Sequence, residues 1–112
     1  MGNLGVDSLT RDELSASYAI ILHNVRTYRS VGVVEVVRGR QNAESAQRRF
    51  EDSQPSSERH EGWRYFFEKT DLKAGTDPAE ATRLRQADLE TRELKALRKM
   101  KLQIAPSAHA QR

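Results

Sequence analysis

The sequence predicts an all-α fold: a small helical domain of three helices, followed by a long charged helix at the carboxyl end. Three observations support this prediction. Helix-capping patterns occur at two points in the chain, and the apolar residues of the first predicted helix recur at helical spacing. The valines of residues 31–37, VGVVEVV, also recur at helical spacing. The 112 residues suffice for one small domain with a modest core.

The first predicted helix runs from about residue 10 to residue 29. Thr10 and Glu13 form a capping box, in which each side chain can satisfy the backbone amide of the other residue. The apolar positions that follow lie on one face of a helix, and they are Leu14, Tyr18, Ile21, Val25 and Tyr28. Residues 1–9 carry no such pattern, and we expect a flexible N-terminus there.

The second element, residues 31–37, has conflicting signals. Valine favours strands because its branched β-carbon is stiff. However, Val33, Val36 and Val37 do not alternate as in a half-buried strand, and their spacing favours a helix. The alternative is a small α+β domain with strands near 31–38 and 62–68, joined by a helix over 42–52.

The third element is aromatic, with Trp63, Tyr65, Phe66 and Phe67 close together in the chain. Trp63, Phe66 and Phe67 share one face if the segment is a helix, and we expect this cluster to fill the core of a compact helical region over 10–74. The same four aromatic residues are also a candidate interaction surface. The neighbouring Arg64 and Lys69 would suit nucleic acid, because aromatic rings stack on bases while cations contact phosphates.

The last helix is predicted over 77–104. Asp77 can cap it, Pro78 suits its first position and Glu80 completes a capping box. Its apolar residues form a thin stripe that would suit coiled-coil association, and they are Leu89, Leu97, Met100 and Ile104. Pro106 follows the last turn, so residues 105–112 are predicted to be a disordered tail.

Candidate catalytic and metal-binding groups are few. The chain has no cysteine, and His23, His60 and His109 stand far apart, with none at the spacing that forms a metal site on a helix. His60 has a glutamate on either side, at 58 and 61, but the start of a helix ordinarily collects acidic residues. We therefore predict no catalytic residue, no metal, no cofactor and no small-molecule substrate.

The net charge of +3 comes from the last third of the chain. A basic set without acidic residues among its members is a candidate nucleic-acid contact, and it consists of Lys95, Arg98, Lys99 and Lys101. No apolar run approaches the length of a membrane span, and we expect a cytoplasmic protein. The sequence predicts a non-enzymatic interaction or assembly module, with a protein partner or self-association. The alternative is an accessory protein that binds nucleic acid through this basic set.

Overall fold

The computed structural model describes the backbone of residues 14–110 and the side chains of residues 14–101. It has six elements, which are β1 (Ser17–Asn24), β2 (Ser30–Arg38), α1 (Arg40–Ser53), α2 (Ser56–Glu61), β3 (Trp63–Thr70) and α3 (Pro78–Ala110). The strands form one antiparallel sheet in the order β2-β1-β3. The protein is therefore α+β, and the prediction of an all-α fold is wrong.

β1 lies where the sequence analysis placed the first helix. The capping box at residues 10–13 lies outside the described residues, but within Ser17–Asn24 the backbone is a strand. Ile20 is fully buried and Ile21 is nearly so, although they point to opposite faces of the sheet. A central strand that is covered on both faces has a continuous apolar run, and such a run can also resemble one wide face of a helix.

β2 contains the valine run that was predicted to be helical. Ile20 pairs with Glu35 and Ile21 pairs with Val33, so Val34 is an extra residue in a β-bulge. The bulge brings Val33 and Val36 into the same core cluster although they are three residues apart. The bulge therefore reproduces the spacing of a helix within a strand, which is why the helical prediction was wrong.

The alternative reading placed two strands close to their observed positions. The structure has strands at Ser30–Arg38 and Trp63–Thr70, with α1 between them. That reading paired the two strands with each other, whereas both pair with β1. The alternative lacked β1, the central strand, which pairs with both of the others.

Each face of the sheet has its own core cluster. On one face α1 contributes Ala43 and Ala46, which pack with Tyr18 and Ile20. On the other face Ala81 of α3 packs with residues of β1 and β2, namely Ala19, Ile21, Val33 and Val36. The small alanine side chains let both helices approach the sheet closely, and together the two clusters make a modest core.

α3 begins within this compact unit, which ends at Thr82. The Glu80 N–H donates to the Asp77 carboxylate, as the predicted capping box requires. The described residues from Arg83 to Ala110 form a second unit, which is helical. Across residues 14–110, no helix is apolar over enough of its length to cross a membrane.

Candidate interaction surfaces

The predicted aromatic cluster is divided between the two faces of the sheet. Tyr65 and Phe67 pack in the cluster beneath α1, where the Phe67 ring meets the Tyr18 ring edge to face at 5.8 Å and the Tyr65 ring stacks on Phe50 at 5.1 Å. Phe66 points to the opposite face and is 44% exposed. Since alternate residues of a strand face opposite sides, the expectation that Trp63, Phe66 and Phe67 share one face is wrong.

Phe66 contacts another ring on the face of the sheet that also carries Ala81. The His23 ring lies 6.0 Å from the Phe66 ring in an edge-to-face arrangement, and His23 Nδ1 lies 2.8 Å from the Ser30 hydroxyl. Ala81, which packs on this face, contacts the cluster formed by β1 and β2. Phe66 therefore presents an exposed aromatic surface on the β3 side of the sheet.

The outer edge of β2 is covered by the segment that leads into α3. The Val33 N–H donates to the Thr82 hydroxyl at 2.9 Å, and the Gly75 N–H donates to the Val36 carbonyl at 2.9 Å. Exposed strand edges are places where further strands can add, and proteins commonly cover them. This edge is closed to a further strand at both positions.

The outer edge of β3 is covered only in part. The Val25 N–H donates to the Gly62 carbonyl, and the register continues from there without a shift, so the even-numbered residues of β3 bond to β1. Trp63, Tyr65 and Phe67 therefore direct their backbone groups away from the sheet. Within residues 14–110, the amide hydrogens of Tyr65 and Phe67 meet no acceptor.

Two glutamine side chains, one on α1 and one directly after it, reach the β3 edge. Gln47 on α1 donates from Nε2 to the Tyr65 carbonyl at 2.7 Å. Gln54, the residue that follows α1, donates to the Trp63 carbonyl at 3.2 Å, while its own side-chain oxygen is buried without a partner among the described residues. The glutamines thus satisfy carbonyl groups of the edge and leave its amide hydrogens open.

The Tyr65 phenol has a raised pKa. Burial raises the pKa of Tyr65, and repulsion from the Glu58 carboxylate raises it further. Both effects disfavour the phenolate, because burial removes water and the carboxylate adds a like charge. Tyr65 therefore stays neutral at physiological pH, as expected of a ring that packs against the core cluster.

The β1–β2 turn was not singled out in the sequence. Tyr28 has a left-handed backbone with φ of 60° and is 81% exposed, between Arg26 and Arg29. The turn is held by buried Asn24, whose side-chain oxygen accepts from the Arg26 and Thr27 amides and whose Nδ2 donates to the Glu61 carbonyl. An Asn just before a turn is the sequence signal that would have located it.

The α3 helix has a long exposed stretch. Every residue from Gln86 to Lys101 is exposed, and this stretch contains four large apolar side chains, Leu89, Leu94, Leu97 and Met100. The predicted basic set lies in the same stretch, and all of its members are exposed: Lys95, Arg98, Lys99 and Lys101. Arg92 and Asp88 form an exposed ion pair at 2.9 Å, at the predicted spacing of four residues.

The histidines of the chain lie apart. His23 is on β1, His60 is on α2 beside two glutamates, and His109 is in the part of α3 whose side chains are not described. Among the side chains of residues 14–101, no three histidine or acidic groups are close enough to hold a metal ion. Two candidate interaction surfaces among the described residues are the β3 edge with Phe66 and the exposed stretch of α3.

Comparisons with known proteins found no counterpart. No family model, no curated protein and no solved structure matches the chain.

Proposed function

We propose that this protein is a non-enzymatic assembly module, in which the exposed stretch of α3 packs against the same stretch of a second copy. The observation that carries the proposal is the exposure of four large apolar side chains on a helix whose residues are exposed on every side from Gln86 to Lys101. Apolar side chains on a helix of this kind gain free energy when a second helix covers them.

The size of this gain supports association. Full burial of an exposed Leu or Met side chain contributes about 1.5–3 kcal/mol, and Leu89, Leu97 and Met100, which are 38–54% exposed, gain about half of that amount each. Leu89, Leu97 and Met100 lie on one side of the helix, so one neighbour can cover them together. The gain on that side exceeds what a single surface ion pair such as Asp88 with Arg92 contributes to the isolated helix.

The proposal is tested by a variant that removes the apolar surface without disturbing the fold. Leu89, Leu94, Leu97 and Met100 are each replaced by glutamine, which is a good helix former. The matched control replaces Lys95, Arg98, Lys99 and Lys101 by glutamine in the same stretch. Sedimentation velocity of the full chain is then compared across a concentration series for the two variants and the unchanged protein.

We expect the apolar variant to lose association while the basic control retains it, because the control keeps every apolar side chain. Circular dichroism should show the same helix content in both variants, since all eight side chains are exposed. If the unchanged chain and the apolar variant sediment alike, α3 does not drive assembly.

A second candidate function rests on the basic set of α3. Lys95, Arg98, Lys99 and Lys101 lie within two turns and are exposed, so they are free to approach the phosphates of a nucleic acid. Glu90 and Glu93 lie five and two residues before Lys95 and oppose this attraction. This opposing charge places nucleic-acid binding second to assembly.

A further inference from the structure

We propose that β3 pairs in antiparallel fashion with β3 of a second copy, in the register that places Phe66 opposite Phe66. The two sheets would then join into one continuous sheet of six strands. This inference rests on the proposed function, because it names a second contact by which the module assembles.

The middle of β3, at Tyr65 and Phe67, is ready for such a pair, whereas the Trp63 carbonyl already accepts from Gln54 and Arg64. The Tyr65 and Phe67 amide hydrogens point outward and meet no acceptor within residues 14–110. In the proposed register Tyr65 lies opposite Phe67 of the second copy, and these two residues exchange both of their N–H···O bonds. The Tyr65 carbonyl already accepts from Gln47, but a carbonyl oxygen has a second lone pair for the incoming amide.

The hydrogen-bond pattern restricts the register. Only odd-numbered residues of β3 direct their backbone groups outward, so an odd residue must face an odd residue of the second copy. The neighbouring allowed registers place Phe66 opposite Arg64 or opposite Glu68. Each of these registers sets a charged side chain against an aromatic ring, whereas the proposed register sets Phe66 against Phe66 of the second copy.

The charges select the same register. With Phe66 at the centre, Arg64 of each copy lies opposite Glu68 of the other, so the two-fold axis generates this ion pair twice. Arg64 already donates from Nη1 to the Arg59 and Trp63 carbonyls, and Glu68 also has a contact within its own copy. The guanidinium retains further donors and the carboxylate further acceptor sites, so neither contact prevents the ion pair. Within one strand these two residues are four positions apart and cannot pair with each other.

The aromatic rings add apolar contact on both faces. Phe66, which is 44% exposed, would meet Phe66 of the second copy at a position where opposed side chains approach most closely. On the other face Tyr65 lies opposite Phe67, which continues the row of rings beneath α1. Residues 64–68 carry a cation at one end, rings in the middle and an anion at the other end. An antiparallel pair of such strands is therefore complementary.

Cysteine cross-linking tests the register directly in the full chain. The protein contains no cysteine, so Phe66→Cys introduces a single thiol and any disulfide must join two copies. In a non-hydrogen-bonded antiparallel pair the Cα atoms lie about 4.5 Å apart, which suits a disulfide. We expect mild oxidation to convert the Phe66→Cys protein into a covalent dimer.

The matched control is Arg64→Cys, on the same face of the same strand. In the proposed register residue 64 of one copy lies opposite residue 68 of the other. The two residues at position 64 are therefore four residues apart along the strand, roughly 13 Å, which is too far for a disulfide. Equal cross-linking of the two variants, or none at Phe66→Cys, would overturn the proposed pairing.

A charge exchange provides a test that keeps Phe66. Arg64→Glu alone and Glu68→Arg alone each place like charges opposite one another twice, and each should weaken pairing at least about tenfold. A 1:1 mixture of the two variants restores both opposite-charge pairs between unlike copies. We expect the mixture to form a heterodimer while each variant alone does not, and a mixture that associates no better than its components would contradict the register.

These results separate the two proposals. If assembly depends on the α3 leucines but Phe66→Cys does not cross-link, the strand pairing is wrong and the helix proposal stands. If Phe66→Cys cross-links while the α3 glutamine variant assembles normally, the helix proposal is wrong and the strand pairing stands.

Discussion

The Thr82 hydroxyl on α3 lies 2.9 Å from the Val33 amide nitrogen on β2 and accepts its hydrogen bond. The same oxygen lies 3.4 Å from the Val33 carbonyl and 2.8 Å from the Pro78 carbonyl. One side chain thus covers a backbone position at the β2 edge and attaches the start of α3 to the sheet. The two edges of the sheet differ for this reason, because the β3 edge keeps open amide hydrogens within the described residues.

Replacement of Thr82 by valine should destabilise the compact unit by about 1–3 kcal/mol, because the Val33 N–H loses its acceptor while the side chain keeps its shape. Urea unfolding followed by tryptophan fluorescence would measure the change. Thr82→Ser is the matched control, since it keeps the hydroxyl, and it should lose much less stability. Equal losses in the two variants would show that the hydroxyl contributes nothing.

The two adjacent phenylalanines should respond differently to truncation. Phe67→Ala should cost about 2 kcal/mol or more, because Phe67 is half-buried and packs on Tyr18 beneath α1. Phe66→Ala should cost well under this amount in the monomer, since the Phe66 side chain is 44% exposed. Chemical denaturation of both variants at low concentration would measure the difference, and equal losses would contradict the assignment of faces.

High pH should weaken the fold through Tyr65. Its pKa is raised by burial and by Glu58, so the folded state holds the phenol proton more tightly than the unfolded chain does. The stability that this provides is complete below the unfolded pKa of about 10 and falls as the pH rises above it. Tyr65→Phe removes this titration, so denaturation measured above and below that pH should show a smaller alkaline loss in the variant than in the unchanged protein.

The capping signal of α3 was readable from the sequence because it depends on neighbouring residues. Asp77 accepts the Glu80 amide as the pattern predicted. The strands were not readable in the same way. The bulge at Val34 gave β2 a helical spacing, and Ile20 with Ile21 gave the central strand a continuous apolar run. In both cases the pairing of strands and the packing of helices on the sheet determine which side chains are buried. The spacing of apolar residues within one segment does not show these contacts.

The candidate surfaces were also predicted in part. The sequence drew attention to the aromatic cluster, but only the strand shows that Phe66 is exposed while Phe67 packs against the core cluster beneath α1. The open amides of Tyr65 and Phe67 carry no sequence signal, because the backbone of every residue except proline has the same donor. Their availability follows from the position of β3 at the edge of the sheet.

Nucleic-acid binding by α3 makes a separate prediction. If Lys95, Arg98, Lys99 and Lys101 contact phosphates, affinity for a generic duplex should fall with salt at a log–log slope of about −3. We expect weak binding even at low salt, because Glu90 and Glu93 reduce the local positive charge. Fluorescence anisotropy of a labelled duplex would measure both quantities, and tight binding at physiological salt would place nucleic-acid binding ahead of assembly.

The molar mass of the full chain in solution is the most direct test of the central claim. Light scattering coupled to gel filtration would report this mass across a concentration series. Assembly through α3 and β3 predicts a mass that rises from one chain of 12.8 kDa to at least two as the concentration increases. A mass that stays at one chain across the whole series would contradict the account.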